Sequence, residues 1–315
     1  MSVRVISPGL LSSVQAGPRN GYRHLGVGAS GALDGYSFAI ANLLVGNEPG
    51  TAVLEMTLRG PGLLFEQAAR IAICGAEIEA AIDGHALPCW RRIDIPAGST
   101  VLFGACRRGA RAYLAVAGGF CVPQVLGSAS TDLRSGFGGL HGRALKGGDH
   151  LAVNGAFRPR TNALHVDTRW VDSGDDLDLD GPCAIHVLPG HDALTEATSL
   201  YEETWRIDAA SNRQGLRLGG TQLAVGDARE RVSEPVLPGT LQLPPDGQPI
   251  LLLADAQTHG GYPRIAHAIR ADMPRLAQLR PGDSLRLQPC TPELARTLFA
   301  EQQHRVARMR IALQG

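Results

Sequence analysis

Of the 315 residues 44% are hydrophobic and 19% charged, and thirty Lys and Arg balance thirty Asp and Glu. That balance leaves no global field to recruit nucleic acid or anionic lipid, and the hydrophobic content excludes a disordered chain. No run approaches the roughly 18 apolar residues of a spanning helix, so small molecules or proteins are the expected ligands, with neither nucleic acid nor membrane as partner.

The opening Met1–Gly9 places Pro8-Gly9 where a leader would need an unbroken apolar core, so no targeting peptide is expected and a cytoplasmic location follows. Short apolar runs at Val3–Ile6, Ile71–Cys74, Val101–Phe103, Tyr113–Ala117, Ala184–Leu188 and Ile250–Leu253, set among 39 Gly and 20 Pro, predict a mainly β fold with a few helices. A first helix is predicted from about Tyr36 to Val45, capped by Asp34 and closed by Gly46-Asn47. A second covers about Ala193 to Glu203, and the last begins at Thr291-Pro292 and continues through Leu294, Leu298, Val306 and Met309.

The chain also echoes itself in order. Val5-Ile6-Ser7-Pro8-Gly9 is matched by His186-Val187-Leu188-Pro189-Gly190, and Arg19-x-Gly21-x-Arg23 by Arg213-x-Gly215-x-Arg217. Gly118-Gly119-Phe120 pairs with Gly260-Gly261-Tyr262, and Leu145–Leu151 with Leu279–Leu285. Two related β domains are therefore expected, 1–155 and 183–315, the latter ending in the terminal helix, joined by a polar linker 156–182 that carries Asp175, Asp176, Asp178 and Asp180. A cleft between the halves is the expected ligand site.

The six cysteines include no Cys-x-x-Cys and the ten histidines no H-E-x-x-H, so neither a disulfide scaffold nor a metal ligated by this chain alone is expected. Gly26-Val27-Gly28-Ala29-Ser30-Gly31 has dinucleotide-fingerprint spacing but no surrounding βαβ alternation. Walker A, G-x-S-x-G and S-x-x-K patterns are all missing. Two polar loops stand out. In Ser128–Gly139, Ser130, Thr131, Asp132 and Arg134 either pair with carboxylate or phosphoryl oxygens or cap backbone groups. From Pro238 to Pro263, an apolar strand flanked by Gln242 leads into Gln257-Thr258-His259-Gly260-Gly261-Tyr262 and Arg264, a set of amide, hydroxyl and backbone donors suited to an anion. Arg19 and Arg213 are further candidates, since guanidinium matches carboxylate bidentately; surface pairing is the alternative.

At these residues the chain resembles the C-type subunits of the bacterial ATP-dependent 5-oxoprolinases, a family also called allophanate hydrolase subunit 2 or biotin-dependent carboxyltransferase-like. Carrying the resemblance are Val14-Gln15, Ser30-Gly31-Ala32-Leu33-Asp34, Leu54-Glu55-Met56-Thr57, Tyr113–Gly119, Ser130-Thr131-Asp132-Leu133, Ser211-Asn212-Arg213 and Pro238–Ala266. It implies two cyclophilin-like β-barrel domains and a function in converting 5-oxoproline to glutamate. The B-type subunit would be the direct partner and the A-type subunit the functional one, with ATP, alone or with Mg²⁺, phosphorylating the lactam oxygen. On that reading Gln257, Thr258 and His259 are catalytic, while Ser130, Thr131, Asp132, Arg134, Arg213, Gln242, Gly260, Gly261, Tyr262 and Arg264 bind substrate. Phosphoryl transfer suits such a set, because it needs oriented donors and positive charge more than a nucleophile. Ala16, Pro18 and His259 depart from the family's usual acid, glycine and threonine. Two other roles follow from the same resemblance. One is a carboxyltransferase component acting on urea or a related amide with carboxybiotin, although the chain has no biotin attachment site. The other is a non-enzymatic regulator that antagonises a sensor-kinase inhibitor.

Overall fold

The computed structural model describes residues 2–155, 157, 163–171, 181–196, 198–226 and 232–314. Contacts divide them into two units: Met1–Arg19 with Ser30–Leu177 and Arg305–Gly315, and Asn20–Ala29 with Asp178–His304. The grouping differs from a simple halving, because ten residues after Arg19 pack with the second unit and the end of the last helix with the first. The acidic cluster expected in the linker lies outside the described residues.

Unit 1 is built on a ten-stranded sheet whose centre is the pair Ala69–Ile82 and Ser99–Val116, antiparallel over most of their length. Gly75 (φ +92°) interrupts that ladder. A Cβ there would come within 2.4 Å of the Arg111 carbonyl, so only glycine lets the long strand bend at this shift of register. Val3, Val5, Leu54, Met56, Phe65, Ile71, Ile73 and Leu114 fill the core on one side. The helix Gly35–Val45 covers the other, with Tyr36, Ile40, Leu44 and Val45 against Ala72, Cys74 and Tyr113. Its ends follow the sequence: Asp34 accepts from the Ser37 N–H at 2.9 Å, and Gly46 closes the last turn at φ +82°.

Unit 2 contains a closed seven-stranded barrel. Its strands are, in order round the wall, Cys183–Pro189, Arg264–Ala268, Thr240–Gln242, Ile250–Leu252, Gly215–Gly219, Trp205–Ile207 and Ser284–Pro289. Closure removes exposed edges, and period-two alternation sends Ile185, Val187, Leu216, Leu218, Leu241, Leu251, Leu285 and Leu287 into a dry interior. All its pairings are antiparallel save that of Cys183–Pro189 with Ser284–Pro289. The mainly β expectation thus holds, with the barrel closed in unit 2 and a broad sheet in unit 1.

The terminal helix runs Pro292–Gln314, and Thr291 Oγ1 accepts from the Leu294 N–H at 3.2 Å. The helix expected over 193–203 is confined to Thr198–Glu202. Tertiary pairing overrides its start, since Leu194 bridges Val225 and the Thr195 N–H donates to Ala224 O at 2.9 Å. No helix among the described residues is long and apolar enough to cross a membrane.

Candidate active site

The second unit carries a pocket of about 110 Å³ on the outer wall of the barrel, lined by Ala210, Asn212, Gln214, Gly215, Arg217, Gln242, Ile250, Leu252, Gln257 and Tyr262. Ligand clefts for drug-sized molecules run to about 300–1,000 Å³, so this pocket is small beside them, on the scale of a single small ring or amide. Its floor is set by strand register. Arg217 pairs with Ile250, and Ile250 with Gln242, which places these three in one row across three strands.

Two carboxamides are locked together at one end. Gln242 is buried, its Oε1 accepts from Gln257 Nε2 at 3.1 Å, and its own Nε2 donates to Tyr262 O at 3.5 Å. With one N–H of Nε2 given to Gln242, Gln257 keeps its carbonyl oxygen as an acceptor and its second N–H as a donor. Gly260 makes room for the pair: a Cβ at that position would stand 2.6 Å from Gln242 Nε2. The main chain of Gln257 is held from behind by Arg23, whose Nη2 donates to the carbonyls of Val236 and Gln257 and whose guanidinium is pushed below its ordinary pKa by burial.

The other wall is a tight turn in which Asn212 Oδ1 accepts from the Gln214 N–H at 2.8 Å and the Asn212 N–H donates to Gly215 O at 3.1 Å. Within the same turn, Arg213 enters an ion pair in the interior of unit 2. Arg213 Nε and Nη2 meet Asp255 Oδ2 and Oδ1 at 2.8 and 3.1 Å, with both side chains under 5% exposed. Arg213 thereby ties the Asn212–Gln214 turn to the segment leading into Gln257, and its charge is spent on Asp255 rather than on the pocket.

Of the residues expected at the site, the structure brings Gln242, Gln257 and Tyr262 to the pocket wall. Thr258, His259, Gly260 and Gly261 belong to the turn between Gln257 and Tyr262 but do not line it. Thr258 Oγ1 lies 3.0 Å from His259 Nδ1, and His259 points outward on a short ribbon paired with Glu234-Pro235. Arg264 pairs with Glu234, and its N–H donates to Asp192 Oδ2 at 2.6 Å.

The Ser128–Gly139 loop is part of unit 1, and there the backbone-capping alternative describes what is seen. The Ala16 N–H donates to Ser130 Oγ at 2.9 Å and Thr131 Oγ1 donates to Val14 O at 2.8 Å. Asp132 Oδ1 accepts from the N–H groups of Arg134 and Ser135, and the Arg134 side chain is exposed. Arg19 is likewise built in, donating to Val125 O and Ser130 O at 3.0 and 2.8 Å under the Phe137 ring. The motif residues that carry the family resemblance in this unit form one internal polar framework. Gln15 Nε2 donates to Ser13 Oγ and Thr131 O, while the Leu33 N–H and Tyr113 O–H donate to Glu55 Oε2 at 3.0 and 2.9 Å. Burial, reinforced by Glu55, drives the Tyr113 phenol well above its ordinary pKa, which keeps it a donor.

Asn212, Gln214 and Arg217 are pocket residues that sequence reasoning missed. The Arg-x-Gly-x-Arg echo was their signal, but weight fell on its first arginine; strand register assigns the pocket to the second. The glycine-spaced loop 26–31 follows a single turn of 3₁₀ helix at Arg23–Leu25 rather than a strand, which is inconsistent with a dinucleotide fold.

A mainly β chain with a closed barrel and a broad sheet has the architecture of the carboxyltransferase-like domains among its solved relatives. The chain belongs to the family described as carboxyltransferase domain, subdomain A and B, whose model matches residues 25–289. It is 39% identical over 306 residues to the C-type subunit of 5-oxoprolinase from Escherichia coli, covering 96% of this chain and 95% of that protein. It is 34% identical to the corresponding 5-oxoprolinase protein of Haemophilus influenzae, covering 88% and 87%. Among solved structures, Kluyveromyces lactis urea carboxylase superposes with a TM-score of 0.90 at 28% identity, over 98% of this chain but 29% of that one.

Proposed function

We propose that the chain is the C-type subunit of an ATP-dependent 5-oxoprolinase, holding the lactam while partner B-type and A-type subunits complete its conversion to glutamate in the cytoplasm. The observation that carries this reading is the Gln242–Gln257 carboxamide pair in a pocket sized for one small ring. Similarity along nearly the full length of the E. coli protein supports it.

Gln257 Oε1 accepts the lactam N–H and so fixes which face of the amide is presented; Tyr262 shields the ring from one side. Hydrogen bonding at the N–H raises electron density on the lactam oxygen, the atom to be phosphorylated. When bound, ATP supplies the phosphoryl group, and its bulk requires residues outside this pocket, on this chain or on the B-type partner. The ring-opening water is delivered in the assembly rather than by a nucleophile of this chain.

The test is reconstitution. The purified chain, combined with its B-type and A-type partners, is expected to hydrolyse ATP and release glutamate only when 5-oxoproline is present. Absence of that dependence in a folded, associated complex refutes the proposal. The likeness to urea carboxylase favours a second reading, a carboxyltransferase half-site for a neutral amide; transfer of label from carboxybiotin to urea would distinguish it.

A further inference from the structure

Among the ten residues of the pocket wall, one carries a formal charge, Arg217. Its setting differs from those of Arg213, Arg264 and Arg23. Arg213 is neutralised by Asp255, Arg264 by Glu234, and Arg23 is consumed by two carbonyls. The Arg217 guanidinium makes no hydrogen bond or ion pair among the described residues; its bonds are those of the main chain, the N–H donating to Ser211 Oγ at 3.0 Å and the carbonyl accepting from the Asp208 N–H at 2.9 Å. Alternation along Gly215–Gly219 sends Leu216 and Leu218 into the barrel, at 1% and 0% exposure, and so turns Arg217 to the outer face beside Ile250.

The row Arg217–Ile250–Gln242 then reads as a ruler. Successive strands lie about 4.8 Å apart, so Arg217 and Gln242 stand roughly 10 Å apart at their Cα atoms, with apolar Ile250 between them. A flexible guanidinium at one end, an amide acceptor at the other and an aliphatic floor between them describe a ligand with three parts: an anionic group, a short hydrocarbon span and an amide N–H. A planar guanidinium donates a parallel pair of N–H bonds that a carboxylate fills and a neutral amide does not.

We infer that Arg217 is the specificity-determining residue of this pocket, binding the carboxylate of a small amide or lactam and discriminating against neutral amides such as urea. The inference rests on the reading that the pocket is the substrate site. It adds that the site is built for a monoanion and that a residue outside the Gln257–Tyr262 turn makes the selection.

The experiment measures binding of three probes, 5-oxoproline, its uncharged analogue 2-pyrrolidinone and urea, to the full chain alone and with its B-type partner, by calorimetry at low salt. The native protein is expected to favour 5-oxoproline over 2-pyrrolidinone by about ten- to a hundredfold, the range of a charge-assisted bidentate contact. Arg217→Gln is expected to erase that preference while leaving 2-pyrrolidinone affinity unchanged, and Arg217→Lys to restore part of it. Equal affinity of the native protein for the acid and the neutral lactam, or full retention of acid binding by Arg217→Gln, overturns the inference; so does failure of all three probes to bind. Because Arg217 is exposed on its strand, the variants should keep the native melting curve. Steady-state assays of the assembled enzyme separate the two levels. An unchanged KM for 5-oxoproline in Arg217→Gln refutes the role of Arg217 alone, whereas no 5-oxoproline-dependent ATP hydrolysis in the native assembly refutes the proposed function.

Discussion

Replacing Asp255 by alanine strands the Arg213 guanidinium inside unit 2. Both side chains are less than 5% exposed and make two parallel bonds at 2.8 and 3.1 Å, so solvent cannot take over the lost partner. Removing one member of such a pair costs about 3–5 kcal/mol, a large share of the roughly 5–15 kcal/mol that stabilises a typical domain. The loss exceeds the pair's own net worth, because the residual charge remains desolvated. Replacing both residues, Arg213→Met with Asp255→Leu, is therefore expected to recover much of the stability. The pair Arg107–Glu79, with side chains 69% and 48% exposed, is the internal control, and Glu79→Ala should cost at most about 1 kcal/mol. Chemical denaturation of the full chain, followed by tryptophan fluorescence with Trp90 reporting unit 1 and Trp205 reporting unit 2, reads each midpoint. If Asp255→Ala shifts stability no more than Glu79→Ala does, the argument from burial is wrong.

Three further outcomes follow from local geometry. Gly260→Ala puts a methyl 2.6 Å from Gln242 Nε2, so it should leave the fold intact while lowering kcat/KM of the reconstituted enzyme by about ten- to a hundredfold, the usual cost of misplacing a binding group by an ångström. Asp34→Ala removes a buried cap that accepts from the Ser37 N–H and O–H at 2.9 and 2.6 Å, and thermal melts should show a loss of about 1–2 kcal/mol, with Asp34→Asn retaining part of it. Hydrogen bonds from Arg143 lower the Asp149 carboxyl from 3.8 to about 2. A carboxyl whose folded pKa is depressed contributes stability above its unfolded value and loses it as pH falls from about 3.8 through about 2. NMR titration should find Asp149 near the lower value in the native protein and nearer the ordinary one in Arg143→Gln.

What the sequence determined by itself was local or compositional. The helix at Gly35–Val45 is written in Asp34 and Gly46, which flank it directly, and the terminal helix in Thr291-Pro292. Glycine and short apolar runs sufficed for a mainly β chain, and several ordered motifs sufficed for the family. Only the tertiary structure decided what individual polar side chains do, because their partners lie far along the chain. Ser130 is committed to the Ala16 N–H across 114 residues, and Arg213 to Asp255 across 42. The strands that frame the pocket, Thr240–Gln242 and Ile250–Leu252, have three residues each, too few for a period of two to announce which face is inward. Register supplied what periodicity could not: it buried the first arginine of Arg213-x-Gly215-x-Arg217 against a carboxylate and turned the second to the pocket wall.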